Sequence, residues 1–244
     1  MYHRVDWTPE RIQHFWNFYS ANTAAHGSYF SRQFGGAILQ LVRRRVRLQG
    51  TLVDLGCGPG YLIEELLRRG FTCKGIDGSP EAIQRVCERF AGRPGFQGAL
   101  VGGLDRIPLQ TGEAGAIFLI EVLEHLTSDF AMKAFAEFQR VLRVGGHLIV
   151  TVPKEEDLGA NLVACPDCGC VFHRVQHVQS FSADSLAQVM RTAGFEVVFA
   201  SGLHLKYFRG TWLARSLGRV RHRVRSWRQR PNPHLVAIGT RRPT

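Results

Sequence analysis

The sequence predicts an α/β fold in which a mostly parallel sheet is covered by helices on both faces. Short apolar segments alternate along the chain with amphipathic segments of helical period, which is the order expected of successive βαβ units. The segment Ala116–Ile120 is apolar at every position, as expected of a central parallel strand that is buried on both faces. A length of 244 residues is sufficient for one such unit, so we expect a single domain over residues 1–244.

Composition and charge indicate a soluble globular chain with an uneven distribution of charge. Hydrophobic residues make up 45% and charged residues 21% of the chain. We expect a cytoplasmic protein, because no apolar run approaches the roughly 20 residues that cross a bilayer and the first residues form no apolar signal region. The net charge of +11 arises in residues 201–244, which contain eleven Lys and Arg and no Asp or Glu. The basic character is therefore a property of this segment and not of the predicted α/β core.

The stretch from Thr51 to Tyr61 predicts a strand, a glycine turn and the start of a helix. The strand Thr51–Leu55 is largely apolar, and its one acid, Asp54, comes shortly before the turn. Three glycines follow at alternate positions: Gly56, Gly58 and Gly60. Glycine lets a ligand approach the backbone closely, and the first turn of a helix offers free N–H groups to a polar ligand. The Asp54 carboxylate favours a cationic group, such as an ammonium, over a pyrophosphate.

The motif Asp-Leu-Gly-Cys-Gly-Pro-Gly of residues 54–60 resembles the first motif of the class I S-adenosylmethionine (SAM)-dependent methyltransferases. The segment 140–150 and the Ala-Gly-Phe of residues 193–195 are similar to later features of that family. The resemblance implies a Rossmann-like three-layer sandwich, with a seven-stranded, mostly parallel sheet whose last strand, here residues 234–240, is antiparallel. It also implies an enzyme that binds SAM and transfers its methyl group.

The cofactor-binding residues are predicted at the ends of successive strands. Asp77 ends a strand about 20 residues beyond the glycine turn, where a carboxylate accepts the hydroxyls of a ribose. Many relatives carry an Asp near the adenine where this chain has Gly103, so we expect Leu104 or Asp105 to take its place. The predicted set is Asp54, Gly56, Cys57, Gly58, Gly60, Asp77, Gly78, Leu104, Asp105 and Ile120.

Three ionisable residues follow the central strand at the predicted mouth of the site: Glu121, Glu124 and His125. At this spacing their side chains share one face of a helical turn, which suits a divalent cation or an acid/base histidine oriented by a carboxylate. The segment resembles the Glu-x-x-Glu-His of two branches of the family, the ubiquinone-pathway O-methyltransferases and the 2′-O-methyltransferases of small-RNA 3′ ends. We interpret Glu121 and His125 as catalytic, and the alternative is a structural helix start.

A Cys/His-rich insertion at 158–180 offers two competing metal sites. Its Cys-Pro-Asp-Cys-Gly turn resembles a metal knuckle, in which two thiolates bind one ion and two further ligands complete a tetrahedral structural zinc site. The predicted zinc ligands are Cys165, Cys168, His173 and His177. A rival cation site, suited to magnesium, comprises Glu121, Glu124, His125 and His177. His177 cannot serve both sites, and a reduced hairpin without metal is the remaining alternative.

Two flanking segments complete the prediction. The resemblance implies that residues 1–47 form a helical cap over cofactor and acceptor. Tyr29 and Phe30 are lid candidates, and the alternative is that these aromatic side chains simply pack. In a basic insertion at 203–231, apolar residues of 211–230 recur at helical spacing between arginines. This pattern is typical of a helix on an anionic membrane surface, which would place the protein peripherally at the inner face of the membrane. The alternatives are a helix that binds nucleic acid and a helix that packs on the domain.

The predicted reaction is methyl transfer from SAM to a hydroxyl of a small or lipid-linked acceptor, such as a quinone precursor or a glycan. The retention of ionisable residues after the central strand favours an enzyme. One alternative is an RNA or protein methyltransferase that grips its polymer with the arginine-rich helix. The other is a SAM-binding protein without catalysis.

Overall fold

The computed structural model describes residues 2–22, 29–205 and 234–243. The strands, in chain order, are β1 (His3–Arg4), β2 (Thr51–Leu55), β3 (Cys73–Asp77), β4 (Phe96–Val101), β5 (Ala114–Ile120), β6 (Leu142–Pro153), β7 (Leu162–Ala164), β8 (Cys170–His173), β9 (Phe195–Leu203) and β10 (His234–Arg241). The α-helices are α1 (Pro9–Ala21), α2 (Phe30–Val42), α3 (Tyr61–Arg68), α4 (Pro80–Phe90), α5 (Ser128–Val141) and α6 (Ala183–Thr192). A 3₁₀ turn spans Leu123–His125.

Seven strands form one sheet in the order β4-β3-β2-β5-β6-β10-β9. Of these, β10 runs antiparallel to both β6 and β9, whereas the other pairs are parallel. The central strand β5 is buried at every position. Separate apolar clusters cover the two faces of the sheet, one built around α5 and α6 and the other around α2, α3 and α4. The predicted three-layer Rossmann-like sandwich is confirmed.

Local sequence signals set the starts of three of the six α-helices in the described residues. The Thr8, Ser79 and Ser182 side chains each accept a hydrogen bond from a backbone N–H in the first turn of the helix that follows. Such N-caps pair donors that would otherwise lack a partner. The segment 143–147 differs from prediction, since it belongs to β6 and does not form a turn ahead of it. Between its pairings with Ala114 and Ala116, β6 accommodates extra residues as a bulge that includes Gly145 at φ +73°.

A small second sheet lies beside the main one and contains the Cys/His-rich hairpin. Strands β7 and β8 form an antiparallel hairpin, and the N-terminal strand β1 pairs in parallel with β8. Strand β1 was not predicted, because two residues carry no periodic pattern. Residues 211–230, the predicted membrane or nucleic-acid helix, lie outside the described residues. In the described ranges, no helix is both long and apolar enough to cross a membrane.

Candidate active site at the carboxyl edge of the sheet

The glycine turn after β2 meets the end of β3. The Gly58 N–H donates to Asp77 Oδ2 at 2.9 Å, and the Ser79 N–H donates to Asp77 Oδ1 at 2.9 Å. Gly58 has φ +47° and Gly60 has φ +77°, and both values lie in the left-handed region that favours glycine. The turn therefore brings the two most prominent predicted elements of the cofactor site, the glycines and Asp77, into direct contact.

Ionisation is unfavourable for two acids at this turn. Asp54 is buried, and this burial raises its carboxyl pKa to about 8, with a further contribution from the charge of Asp77. Burial also raises the pKa of Asp77, partly offset by the N–H groups of Ser79 and Gly58. A cationic ligand group at this edge would relieve the cost of ionising both carboxyls.

The other predicted cofactor residues lie along the same edge of the sheet. An added Cβ at Gly56 would meet Val122 Cγ2 at 2.8 Å, so the turn packs directly under the segment that follows β5. Cys57 and Ile120 are buried, Leu104 packs against the core, and Gly78 and Asp105 are exposed. Burial raises the pKa of the Cys57 thiol well above its ordinary value, so that this thiol is not a nucleophile.

Tyr29 covers the glycine turn from the N-terminal side. Its ring Cε1 lies 3.2 Å from the position of a Cβ added at Gly58. Burial, and then the charge of Asp77, raise the pKa of Tyr29 to about 12, so its hydroxyl stays protonated. The second lid candidate, Phe30, lies elsewhere, with its ring 4.4 Å from that of His234.

A buried Glu/His cluster lies where β5 ends and the hairpin returns to the sheet. Ligand atoms of Glu124, His125 and His177 all lie within 4.8 Å of one another. Glu124 is only 1% exposed, yet neither of its carboxylate oxygens has a hydrogen-bond partner. Its Oε1 lies 3.8 Å from His177 Nε2. Three of the four residues of the rival cation site are therefore in place, around a buried carboxylate that lacks a partner.

Glu121, the fourth residue of that predicted set, takes a different orientation. Its backbone has φ +53°, and its N–H donates to the Thr151 carbonyl at 3.0 Å. Its Oε2 lies 3.2 Å from Nδ1 of His234, on β10. Glu121 therefore lies next to the three-residue group without belonging to it. Burial raises the pKa of Glu124 well above its ordinary value, and the charge of Glu121 is the second cause.

The surroundings of His125 favour a metal ligand over a general base. Burial, and then the charge of His177, lower the pKa of His125 to about 3. An imidazole with so low a pKa takes a hydroxyl proton inefficiently near neutral pH, whereas neutral imidazole is the form that binds metal ions. Its Nδ1 donates to the Gln176 carbonyl at 3.3 Å, so that the lone pair of the neutral ring lies on Nε2.

Gln176 is a site residue that the sequence did not reveal. It is fully buried, its Nε2 donates to the His125 carbonyl at 2.9 Å, and its Oε1 accepts from the Trp16 indole at 2.9 Å. Its φ of +58° is rare for a side chain other than glycine. The described residues hold three such positions outside glycine, and the other two are Glu121 and Glu155. Glu121 and Gln176 border this cluster, and strained backbone of this kind concentrates at functional sites.

The predicted zinc set is not assembled. Cys165 and Cys168 lie at the hairpin turn, whereas His173 pairs with Leu162 at the far end of the three-pair ladder between β7 and β8. His173 and His177 group with Glu156 and not with the thiols. Within the described ranges, no third His, Cys, Asp or Glu lies close enough to the two thiols to form a three-ligand group. The prediction of Cys165, Cys168, His173 and His177 as one site is therefore corrected.

The knuckle turn itself is formed as predicted. The backbone N–H groups of Cys168 and Asp167 donate to the Cys165 sulfur and lower the pKa of that thiol. Gly169 follows at φ +74°, which permits the tight turn. The tip of the hairpin thus holds two adjacent thiols without the two imidazoles.

Comparison with known proteins identifies the family. A family model described as a methyltransferase domain matches residues 28–199. The chain belongs to this methyltransferase family. The matched residues include the glycine turn, Asp77 and the Glu124 cluster.

Individual relatives share part of the sequence. The chain is 28% identical over 179 residues to a ubiquinone biosynthesis O-methyltransferase from Xylella fastidiosa strain 9a5c, covering 70% of this chain and 71% of the relative. It is 30% identical over 112 residues to the ribosomal RNA small subunit methyltransferase C of Alcanivorax borkumensis, covering 43% of this chain and 33% of the relative. The matches span 31%, 33% and 57% of the first three curated relatives.

The fold has close structural neighbours. A chain in the solved complex of the Haloferax volcanii Trm112 methyltransferase activator with a methyltransferase superposes with a TM-score of 0.65 at 20% identity. The superposition covers 95% of this chain and 99% of that one. At this identity the similarity concerns the fold alone.

Proposed function

We propose that the chain transfers the methyl group of SAM to a hydroxyl of a small or lipid-linked aromatic molecule, at a site where Glu124, His125 and His177 hold a divalent cation. The carboxylate of Glu124 carries this proposal: it is 1% exposed, both oxygens lack a hydrogen-bond partner, and two imidazoles face it. A buried carboxylate without a partner is costly, and a cation is the partner that these ligands suit.

The charge balance around the cluster supports a cation. The ionisable side chains nearest to the Glu121, Glu124 and Glu156 carboxyls are histidines, and no Lys or Arg ion-pairs with these carboxyls in the part of the chain that the structure describes. His125 is neutral because its pKa is about 3. A divalent ion would supply the missing positive charge, and when bound it lowers the pKa of a hydroxyl that coordinates it.

Aromatic side chains from α1 and the hairpin favour a planar acceptor. The Trp16 ring meets His125 edge-on, with centroids 4.6 Å apart. Trp7 contacts Phe15 at 5.7 Å and Phe172 at 6.2 Å, so α1 and β8 share an aromatic layer beside the cluster. Several relatives are named ubiquinone biosynthesis O-methyltransferases, and a quinone precursor is an aromatic molecule that bears hydroxyls.

The remaining residues have positioning roles in this proposal. SAM supplies the methyl group on a sulfonium, and transfer requires an acceptor oxygen in line with it. The glycine turn, Asp54 and Asp77 would hold the cofactor through backbone N–H groups and two carboxylates, and Tyr29 would cover it. The cluster at the end of β5 would hold the acceptor hydroxyl at the same edge of the sheet.

The test measures methyl transfer from radiolabelled SAM to a catechol, in protein freed of metal with a chelator and then titrated with Mg²⁺ or Mn²⁺. We expect transfer to be lost on chelation and restored by the cation, with SAM affinity unchanged throughout. Full transfer in the chelated protein would contradict the cation. Transfer to none of a panel of phenols, with SAM bound, would contradict the acceptor class.

A polymer acceptor is the second candidate, and one relative is named a ribosomal RNA methyltransferase. The basic segment 211–230 would bind the polymer or, alternatively, an anionic membrane surface, and both interpretations rest on its sequence. RNA binding through this segment should weaken steeply with salt. Binding to anionic vesicles but not to RNA would favour the lipid-linked acceptor.

A further inference from the structure

Two residues beside the cation cluster have no assigned role in binding the ion: Glu156 and His173. Their side chains are 17% and 3% exposed, so both are largely removed from bulk water. Glu156 follows β6, and His173 ends β8, so the pair joins the main sheet to the base of the hairpin. Their contacts with His177 bear on which of its ring nitrogens carries the proton and which faces Glu124.

Glu156 determines which nitrogen of His177 carries the proton. Glu156 Oε2 accepts a hydrogen bond from His177 Nδ1. A carboxylate can only accept, so the His177 proton lies on Nδ1 and the lone pair lies on Nε2. That Nε2 is the atom 3.8 Å from Glu124 Oε1.

His173 faces the second oxygen of Glu156. The His177 backbone N–H donates to His173 Nδ1 at 3.1 Å, so a neutral His173 carries its proton on Nε2. This Nε2 lies 3.4 Å from Glu156 Oε1, close enough to attract the carboxylate although not aligned as a good hydrogen bond. Glu156, His173 and His177 are also close enough to hold a second ion. A protonated Nε2 has no lone pair for a metal, which argues against that second site.

We propose that Glu156 and His173 are positioning residues for the cation site, an inference that rests on the proposed function. Glu156 fixes the tautomer of His177 so that its Nε2 lone pair faces Glu124, and His173 holds Glu156 in place. Outer partners of this kind orient metal-bound histidines, and their loss weakens metal affinity by about 10- to 100-fold. Glu156 thereby acts on the ion through His177 without contacting it.

The first test needs no metal. Long-range ¹H–¹⁵N correlation spectra of the metal-free wild-type protein report which ring nitrogen of each histidine is protonated, with assignments from His173→Gln and His177→Gln. We expect His177 protonated at Nδ1 and His173 protonated at Nε2. A His177 protonated at Nε2 in the wild-type protein would overturn the proposal, whatever happens to any variant.

The second test compares Glu156→Gln with Glu155→Gln. Glu155 is a matched control, because it is the adjacent residue, has φ +48°, is 56% exposed and pairs only with Lys154 among the described ion pairs. We expect Glu156→Gln to mix the His177 tautomers and to weaken Mn²⁺ binding about 10- to 100-fold, while Glu155→Gln changes neither. Unchanged tautomers and affinity in Glu156→Gln would overturn the proposal.

The two proposals fail in distinguishable ways. Wild-type protein with the expected tautomers but no Mn²⁺ binding would overturn the cation site and leave the role of Glu156 in setting the tautomer supported. If wild-type protein binds Mn²⁺ and Glu156→Gln binds it with the same affinity, the cation site is supported and the positioning role of Glu156 is overturned.

Discussion

The two ends of the Cys/His hairpin place potential metal ligands in different surroundings. We call the end with the Cys165–Cys168 turn the tip, and the end with His173 and His177 the base. At the tip, Cys165 and Cys168 lie at an exposed turn, with backbone N–H groups directed at the Cys165 sulfur. At the base, His173 is buried and His177 is 12% exposed, and carboxylates from β6 and from the 3₁₀ turn face them. The base is therefore part of the active-site edge of the sheet, whereas the tip is not.

This difference arises from the geometry of the hairpin. The strands β7 and β8 keep their ends apart, so residues close in sequence lie at opposite ends of a ladder. Burial then separates their chemistry. The imidazoles at the base are largely buried and face carboxylates, while the thiols at the tip lie at an exposed turn. Proximity in sequence suggested one site with four ligands. Because strand β8 runs away from the turn, it places the two histidines at the opposite end of the hairpin from the two thiols.

The largest expected effect that separates the two regions comes from Glu124→Gln. This change removes a buried carboxylate neither of whose oxygens has a hydrogen-bond partner, so Mn²⁺ affinity should fall by more than about 100-fold, the upper end of what outer partners of a metal site cost. The metal-free variant should unfold at a higher temperature than metal-free wild type, because an amide costs less to bury than a carboxyl group near other acids. Calorimetric titration and thermal unfolding measure both effects, and a variant with wild-type Mn²⁺ affinity would refute the site.

A smaller effect distinguishes the cofactor turn from the cation cluster. Free Asp54 is protonated below its raised pKa of about 8, and a bound ammonium favours the carboxylate, so SAM binding should release a proton. The SAM dissociation constant should then fall by up to about tenfold per pH unit between about pH 5.5 and 7.5. Asp54→Asn should remove this slope, and Glu124→Gln should leave it unchanged. Titrations over that pH range test this, and an equal slope in Asp54→Asn would contradict it.

The smallest expected effect is that of Cys165→Ser combined with Cys168→Ser. Because the thiols are absent from the Glu124 group, Mn²⁺ affinity and methyl transfer should stay within about twofold of wild type, as for a surface change away from a buried network. Elemental analysis of the same proteins reports whether the knuckle holds zinc. A large loss of Mn²⁺ affinity in this variant would show that the thiols contribute to the cation site and would contradict the separation of the tip from the base.

The sequence predicted the fold well because its signals were local. The alternation of apolar strands with capped helices, and the glycines after β2, depend on residues close together in the chain. They placed Asp54, Asp77 and the Glu124 turn at one edge of the sheet. Strand β1 and the bulge in β6 were missed, because the first depends on pairing with β8 and the second on the register with β5.

The partners within the site could not be predicted in the same way. Gln176, Glu156 and the Trp16 indole reach the cluster from separate elements, and no spacing pattern marks them. Glu121 was expected to share a face with Glu124, but its positive φ directs it to His234 on β10. A backbone conformation that is costly in isolation is decided by tertiary contacts, and single-sequence patterns do not contain those contacts.

Electron spin-echo envelope modulation of Mn²⁺ bound to the wild-type protein tests the central claim most directly, because it detects nitrogen nuclei coordinated to the ion. The account predicts one Mn²⁺ per chain coupled to two imidazole nitrogens, with one coupling lost in His125→Gln, one lost in His177→Gln and none lost in Cys165→Ser/Cys168→Ser. Bound Mn²⁺ without imidazole coupling, or no bound Mn²⁺ at all, would contradict a cation held at the base of the hairpin.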